Sequence, residues 1–383
     1  MTNSMKCHMK CKAFTKLTDI DVTPEQEEQA STPHRIFPEQ RTTFATHWHP
    51  ENVPFHCLRD RLTAMYPNQE KSLIIPTQHN EILAWDDFAG VEVDCYDAHL
   101  GLKVQLLLHF KADRVAMNNG EPASHNGHSC HTMHTMLAET ANYRGYQLLD
   151  LLNILEEKKP ELVGQAAKQS GATKKIINAV GRSAAQLHSL VSHYMQTQTT
   201  QYSAHICKNK LIRNYLDSTQ PLPKELMPVA QRYVQAVKKI MKKDFDYSNL
   251  HPVGVIIEEA RALGAGIVIP HPEVFWPVLL AGYDIDGIEV WNPCSERYTT
   301  VIMDMMARQN SGHKHKKILL PFFGDDCHMA EKTRPIALQD PEKAFREIGL
   351  QEPWESPEIL ARLKTMGMTK ESIIDTYTER LLS

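Results

Sequence analysis

The sequence predicts an α/β protein: short, buried, parallel strands gathered into a barrel or an open sheet, with a helical insertion between them. Three observations lead there. First, the runs FATHWHPENVPFH, SLIIPTQHN, GVEVDCYD, LKVQLLLHF, GIVIPHP, GIEVWNP and KILLPFFGDDCH are short, rich in Val, Ile, Leu or Phe, and most end in a residue type that binds metal. Apolar runs without alternation are what strands covered on both faces require, the usual state of a parallel sheet. Second, from residue 134 to 250 the apolar positions recur at three- and four-residue spacing, which is helical. Third, helix-like and strand-like segments alternate again beyond that point, the grammar of parallel βα units.

Residues 1 to 40 are polar, carry TPEQEEQASTP and read as a lead-in. Residues 41 to 111 hold four of the strand-like runs in quick succession, and residues 251 to 335 hold the remainder. Between 112 and 250 come a His-rich loop, NNGEPASHNGHSCHTM, and the helical segments LLDLLNILEEKK, KKIINAVGRSAAQLHSLVSHYM and KELMPVAQRYVQAVKKIMKK. Residues 336 to 383 read as closing helices. His125, His128, His131 and His134 recur every third residue, but a loop of Asn, Gly and Ser gives imidazoles no fixed geometry, so they are expected to be solvated.

At 383 residues the chain can bury one large domain or two ordinary ones, and a hydrophobic fraction of 42% fits a globular protein. A net charge of -4 offers no global attraction for nucleic acid, so any contact with a polyanion has to be local. No stretch reaches the roughly 18 apolar residues of a membrane span, and the first thirty residues lack the apolar core of a signal peptide; the expectation is a cytoplasmic protein that does not engage membrane. Eight cysteines spread over this length read as reduced thiols.

The ends of the runs carry the chemistry. In a parallel sheet the carboxyl ends of the strands share one rim, so ligand types far apart in sequence can meet there. His47 and His49 form an H-x-H pair whose imidazoles face one side of an extended strand. His56 follows within a segment short enough to return to that rim, and His79 and His271 each end a run of their own. Glu92 ends GVEV; a carboxylate in a buried run has to be paired or metal-bound. Asp326 and His328 repeat the i, i+2 spacing as D-x-H after ILLPFFG.

Taken in order, THWHP, PTQHN, AGVEV, GIVIPHP and FGDDCH resemble the PHP (polymerase and histidinol phosphatase) family of metal-dependent phosphoesterases over roughly residues 41 to 335. The helical insertion before ALGAGIVIPHP resembles the subgroup that removes phosphate from nucleotides or trims short RNA from its 5′ end. The resemblance implies a distorted (β/α)7 barrel with two or three divalent ions on its rim. It implies His47, His49, Glu92 and Asp326 around one ion, Glu92 bridging to a second held with His271, and His56, His79 and His328 around a third. Such ligands suit Zn, Mn or Fe better than Ca. Two departures stand out: Thr77-Gln78-His79 replaces the family's T-D-H, and the family's fourth-strand His falls near Gln105. His109 shares strand parity with Gln105 and is added to the ligand set on that ground.

The implied activity is hydrolysis of a phosphate ester by metal-bound hydroxide, with Glu92, Asp326 and His328 as the catalytic set and no Ser or Cys nucleophile. Arg144, Arg182 and His188 resemble the subgroup's cationic cap and are expected to grip phosphate. The expected partner is a small phosphorylated substrate, a nucleotide or short RNA; no protein partner is legible. An amidohydrolase also opens on H-x-H, but it closes on a lone Asp rather than D-x-H. The remaining alternative is a catalytically weak metal-binding barrel that acts through a protein partner.

Overall fold

A computed structural model describes residues 22–118, 120–197, 211–244, 246–312, 317–334, 336 and 339–383. The chain divides into two compact units, one comprising Asp21–Leu137 with Leu250–Ser383, the other including Ala138–Asn249.

The first unit begins with α1 (Pro24–Ser31), started by a capping box in which Thr23 and Gln26 satisfy each other's backbone N–H groups. Then come β1 (Thr42–Ala45), β2 (Trp48–His49), α2 (Phe55–Met65), β3 (Lys71–Ile74), β4 (Leu83–Trp85), β5 (Phe88–Asp97) and β6 (Leu102–Lys111). β1 pairs with β3 in parallel, Ala45 opposite Ile74. The chain after β3 then runs beside β5: Asn80 N–H donates to Glu92 O and Glu92 N–H to Gln78 O, at 2.8 and 3.0 Å.

β4, β5 and β6 form an antiparallel meander, which corrects the expectation of parallel strands for GVEVDCYD and LKVQLLLHF. The reason lies in the connections. Only residues 98 to 101 separate β5 from β6, whereas a parallel pair needs a crossover of about a dozen residues. Between β4 and β5 lie two residues, with Asp86 at φ 52° as a tight hairpin demands. Uniformly apolar runs report burial on both faces and are silent on direction.

The His-rich stretch carries two short antiparallel ribbons, Met117–Asn118 with Glu121–Pro122 and Ser124–His125 with His128–Ser129. The chain returns to this unit with α8 (Val253–Ala262, the elements α3 to α7 being given below), β7 (Gly266–Ile269), β8 (Gly287–Trp291), α9 (Thr299–Ser311), β9 (Leu320–Phe323) and β10 (Cys327–His328). β7, β8 and β9 are parallel, as the βα alternation predicts, and β7 joins the meander antiparallel to β6, giving a six-stranded sheet in the order β9-β8-β7-β6-β5-β4. β10 pairs in parallel with β2. Among the described residues the ladders form this sheet and separate two-stranded pairs, and they do not close into a barrel.

The apolar faces of the sheet pack into one core with Ile256, Ile302 and Met306 of the flanking helices and, from the closing helix Lys370–Leu382, Ile373, Tyr377 and Leu381. Burying such side chains contributes about 1.5–3 kcal/mol each relative to exposure. The second unit is helical: α3 (His131–Asn153, which enters from the first unit), α4 (Pro160–Ser170), α5 (Lys174–Thr197), α6 (Leu211–Thr219) and α7 (Met227–Met241). Its core is built from apolar positions three and four apart, such as Ile176, Val180, Ala184, Leu187 and Val191 of α5. Among the described residues no helix is long and apolar enough to cross a membrane.

Candidate metal centre

The centre forms where β1, β3, β7 and β9 end. His47 follows β1 and His49 lies in β2; both are 1% exposed, their ring centroids 5.5 Å apart. Backbone pairing sets the height of each group: Asp326 N–H donates to His47 O at 2.9 Å, and the β2–β10 ladder places His328 opposite His49. The His49 and His328 rings stack with centroids 4.3 Å apart, and the His79 ring also stacks on His49, at 4.5 Å.

Two carboxylates collect the imidazoles. Glu92 Oε2 lies 2.6 Å from His79 Nδ1 and 3.6 Å from His49 Nε2, and its Oε1 lies 3.5 Å from His271 Nε2. Asp326 Oδ1 lies 3.8, 3.5 and 3.3 Å from the Nε2 atoms of His47, His49 and His328. Most of these separations exceed a good hydrogen bond, yet two ligands on one tetrahedral ion with bonds near 2.1 Å stand roughly 3.4 Å apart. His47 Nε2 and both ring nitrogens of His49 are buried without a hydrogen bond, a costly state for polar atoms unless an ion meets them. The ligand atoms of His49, His79 and His328, and those of His47, His49 and Glu92, each fall within 4.8 Å of one another. The donor set therefore fits divalent metal.

Charge on these groups follows from burial and mutual attraction. Burial opposes ionisation of Glu92, but His79, His271 and His49 hold it well below the ordinary carboxylate range. Burial likewise opposes ionisation of Asp326, and His328, His49 and His47 hold it well below that range. Burial, followed by the charge of His328, pulls His49 down to about 4, which keeps its ring neutral and able to ligate. For His47 burial acts downward too, but Glu289, Asp326 and Glu92 raise it to about 10. The carboxylates thus favour positive charge at this point.

The seven residues so gathered are His47, His49, His79, Glu92, His271, Asp326 and His328. Two other expected ligands lie elsewhere. His56 sits on the first turn of α2, 65% exposed, with its Nε2 3.3 Å from Cys57 Sγ. The PFH segment that was to fold back to the rim starts a helix instead. His109 is fully buried, but Nε2–H donates to Thr46 O at 2.9 Å and Nδ1 accepts from Tyr377 Oη at 2.7 Å, so neither nitrogen is left for metal. Burial pulls it down to about 3. Its parity is as expected, but it pairs with Gly90, two residues along the ladder from the Glu92–Leu107 pair. Gln105, two residues to the other side of Leu107, reaches the centre: its Nε2–H donates to Glu92 Oε1 at 2.5 Å. Arg144, Arg182 and His188 lie in the helical unit, Arg182 exposed and His188 Nδ1 3.7 Å from Glu156 Oε1.

Three groups that the motifs do not announce support the cluster. Glu289, in the middle of β8 and 1% exposed, accepts from His47 Nδ1–H at 2.8 Å on Oε1 and from the His271 backbone N–H at 2.7 Å on Oε2. It fixes the His47 tautomer so that Nε2 faces the carboxylates. A Cβ on Gly324 would stand 1.6 Å from Glu289 Oε1, which explains the glycine of FGDD. Arg346 donates to Asp326 Oδ2 at 2.6 Å, and Glu51 Oε1 lies 3.3 Å from His328 Nδ1. Glu289 has a sequence signal in hindsight: GIEV repeats the Gly-x-Glu-Val of GVEV around Glu92. Backbone strain also concentrates here. His271 at φ 28° and Asp326 at φ 45° occupy the left-handed region, at about 1–3 kcal/mol each, a cost that the fold bears to aim both side chains inward.

The fold and site together define a mixed α/β protein with a buried His/carboxylate cluster suited to divalent metal. No family model and no curated protein matches the chain. Among solved structures, a chain from Bifidobacterium adolescentis described as a candidate metal-dependent phosphoesterase aligns over 86% of this chain and 97% of its own, at 15% identity and a TM-score of 0.44. The chemistry of the centre rests on its own residues.

Proposed function

We propose that this chain is a metal-dependent phosphoric ester hydrolase whose substrate is a nucleotide or a short oligonucleotide. The observation that carries the reading is the convergence of five imidazoles on the buried Glu92 and the partly buried Asp326, with His47 Nε2 and both His49 nitrogens lacking hydrogen bonds. Imidazole and carboxylate ligands suit Zn, Mn or Fe, two or three ions in number, with Glu92 shared between them. Such ions, when bound, lower the pKa of an attacking water and neutralise charge on phosphoryl oxygens.

The chain's own residues have defined tasks in this scheme. Glu92 and Asp326 hold the positive charges together and His328 completes the rim beside Asp326, while Glu289 and Glu51 orient His47 and His328. Arg144, Arg182 and His188 are assigned the phosphate contacts, on the resemblance of their helices to the cap of the nucleotide-directed PHP subgroup. The test is phosphate or nucleotide release from a nucleoside monophosphate, a 3′,5′-bisphosphate and a short RNA with Mn or Zn added, comparing the native chain with Asp326→Ala. Metal-dependent turnover that disappears in the variant is the expected result.

One observation favours a second reading. Gln105 Nε2–H donates to Glu92 Oε1, the oxygen that faces His271, and so competes there with a second ion. A centre weakened in this way fits a catalytically poor metal-binding protein that works through a protein partner. Turnover on any member of the substrate panel eliminates it.

A further inference from the structure

His56, the expected ligand that the fold turns away from the centre, stands beside two other metal-binding side chains. We propose that Glu27, His56 and Cys57 form a second, separate metal site, selective for a thiophilic divalent ion such as Zn, with donors from both α1 and α2. His56 Nε2 lies 3.3 Å from Cys57 Sγ and 3.8 Å from Glu27 Oε2, and the three ligand atoms fall within 4.8 Å of one another. A tetrahedral ion with Zn–S near 2.3 Å and Zn–N near 2.0 Å holds those two atoms about 3.5 Å apart, so the spacing already present needs little change. His56 is 65% exposed, so its Nε2 can be reached by an ion from solvent while it lies beside the buried Cys57 thiol and the Glu27 carboxylate.

The two helices that supply the donors are held together independently of any ion. Arg61, on α2 one and a half turns beyond His56, donates from Nη1 to Ala30 O and Thr32 O at the end of α1, at 3.0 and 2.8 Å. Its own charge is met by Glu347 through Nε and Nη2. Glu27 is therefore presented to α2 by a fixed helix, and binding has little ordering left to do. On binding, the Cys57 thiol proton passes to solvent and the thiolate becomes the ligand, with water completing the fourth position. Thiolate and imidazole donors favour Zn over Mn or Mg, whereas the centre described above has no sulfur ligand among its seven residues.

That chemical difference supplies the test. Cobalt(II) bound by a thiolate shows a near-ultraviolet charge-transfer band, and the sulfur-free centre cannot produce one. Titrating the full-length chain with cobalt(II) should give this band; Cys57→Ser should abolish it, His56→Gln should weaken cobalt binding at the band at least tenfold, and Asp326→Ala should leave it in place. His56→Gln changes an exposed side chain, so it remains informative if Cys57→Ser fails to fold. Absence of the band in the native chain, its survival in folded Cys57→Ser, or unchanged affinity in His56→Gln overturns the site. None of these readouts uses phosphoester turnover, so failure of this site and failure of the hydrolase reading are distinguishable.

Discussion

Two sets of histidines in this chain make opposite use of the same side chain. His125, His128, His131 and His134 crowd into one short stretch, and three of them each give one ring nitrogen to a hydrogen bond away from any shared point: His128 Nε2 with Glu259 Oε1 and His134 Nε2 with Val115 O, each at 2.9 Å, and His125 Nε2 with the Asn126 amide. His47, His49, His79, His271 and His328 are scattered across most of the chain, and they converge on two carboxylates, with His47 Nε2 and both His49 nitrogens buried without a hydrogen bond. Density along the sequence thus says little about a metal site. What counts is that each member ends a buried run, because strand ends are the points that a sheet brings together.

The strongest way to break this contrast is Asp326→Ala. It removes the carboxylate facing three imidazoles and should lower metal affinity by on the order of 100-fold or more, abolishing any metal-dependent turnover; metal content after dialysis measures the first and phosphate release the second. Equal metal content in native and variant chains would remove the centre from the argument.

Glu289→Gln sharpens the contrast next. The amide can no longer accept from both His47 Nδ1–H and the His271 N–H as a charged carboxylate does, and metal affinity should fall about 10–100-fold with the fold kept. Gly324→Ala should reproduce that loss, because its methyl would enter the space of Glu289 Oε1. Circular dichroism and metal content together separate lost orientation from lost folding.

His109 marks the boundary between the two sets, buried like the second and hydrogen-bonded like the first. Its pKa falls from 6.5 to about 3 in the folded chain, so below pH 6.5 the unfolded chain takes up a proton that the folded chain refuses. Stability from this group is full above pH 6.5 and is lost as pH falls toward 3. Urea midpoints of the chelator-treated protein should drop across that window, and His109→Gln should flatten the drop while lowering the plateau. An unchanged slope would mean that His109 titrates normally.

Legibility followed the physics of strand ends. His47 and His49 were readable because i, i+2 in an extended segment fixes a shared side, and the parallel β7, β8 and β9 because Gly-punctuated helix-to-strand segments announce crossovers. Antiparallel β5 and β6 were misread because an apolar run does not encode direction; the four-residue link between them does, and it also sets the row on which Gln105 rather than His109 meets Glu92. Glu289 lies inside its strand as Glu92 does, and it was passed over because its part is to hold His47 and His271 through hydrogen bonds rather than to join the imidazoles as a ligand; Glu51 and Arg346 were passed over because loops place them. The start of α2 within PENVPFHC removed His56 from the rim, a helix boundary that no apolar periodicity marks.

The smallest effect belongs to the crowded set. The His128–Glu259 pair is 40% exposed on the histidine side, and solvent screens such pairs to about 0–1 kcal/mol at most. His128→Ala should therefore shift the thermal midpoint by no more than a few degrees and leave metal content unchanged, since its nitrogen ties a ribbon to α8 and faces no second ligand. A loss of bound metal in His128→Ala comparable to that in Asp326→Ala would reverse the contrast between the two sets. It would mean that a dense histidine tract can ligate from a surface ribbon as well as a buried rim does, and that burial of the ring nitrogens is not what selects the ion.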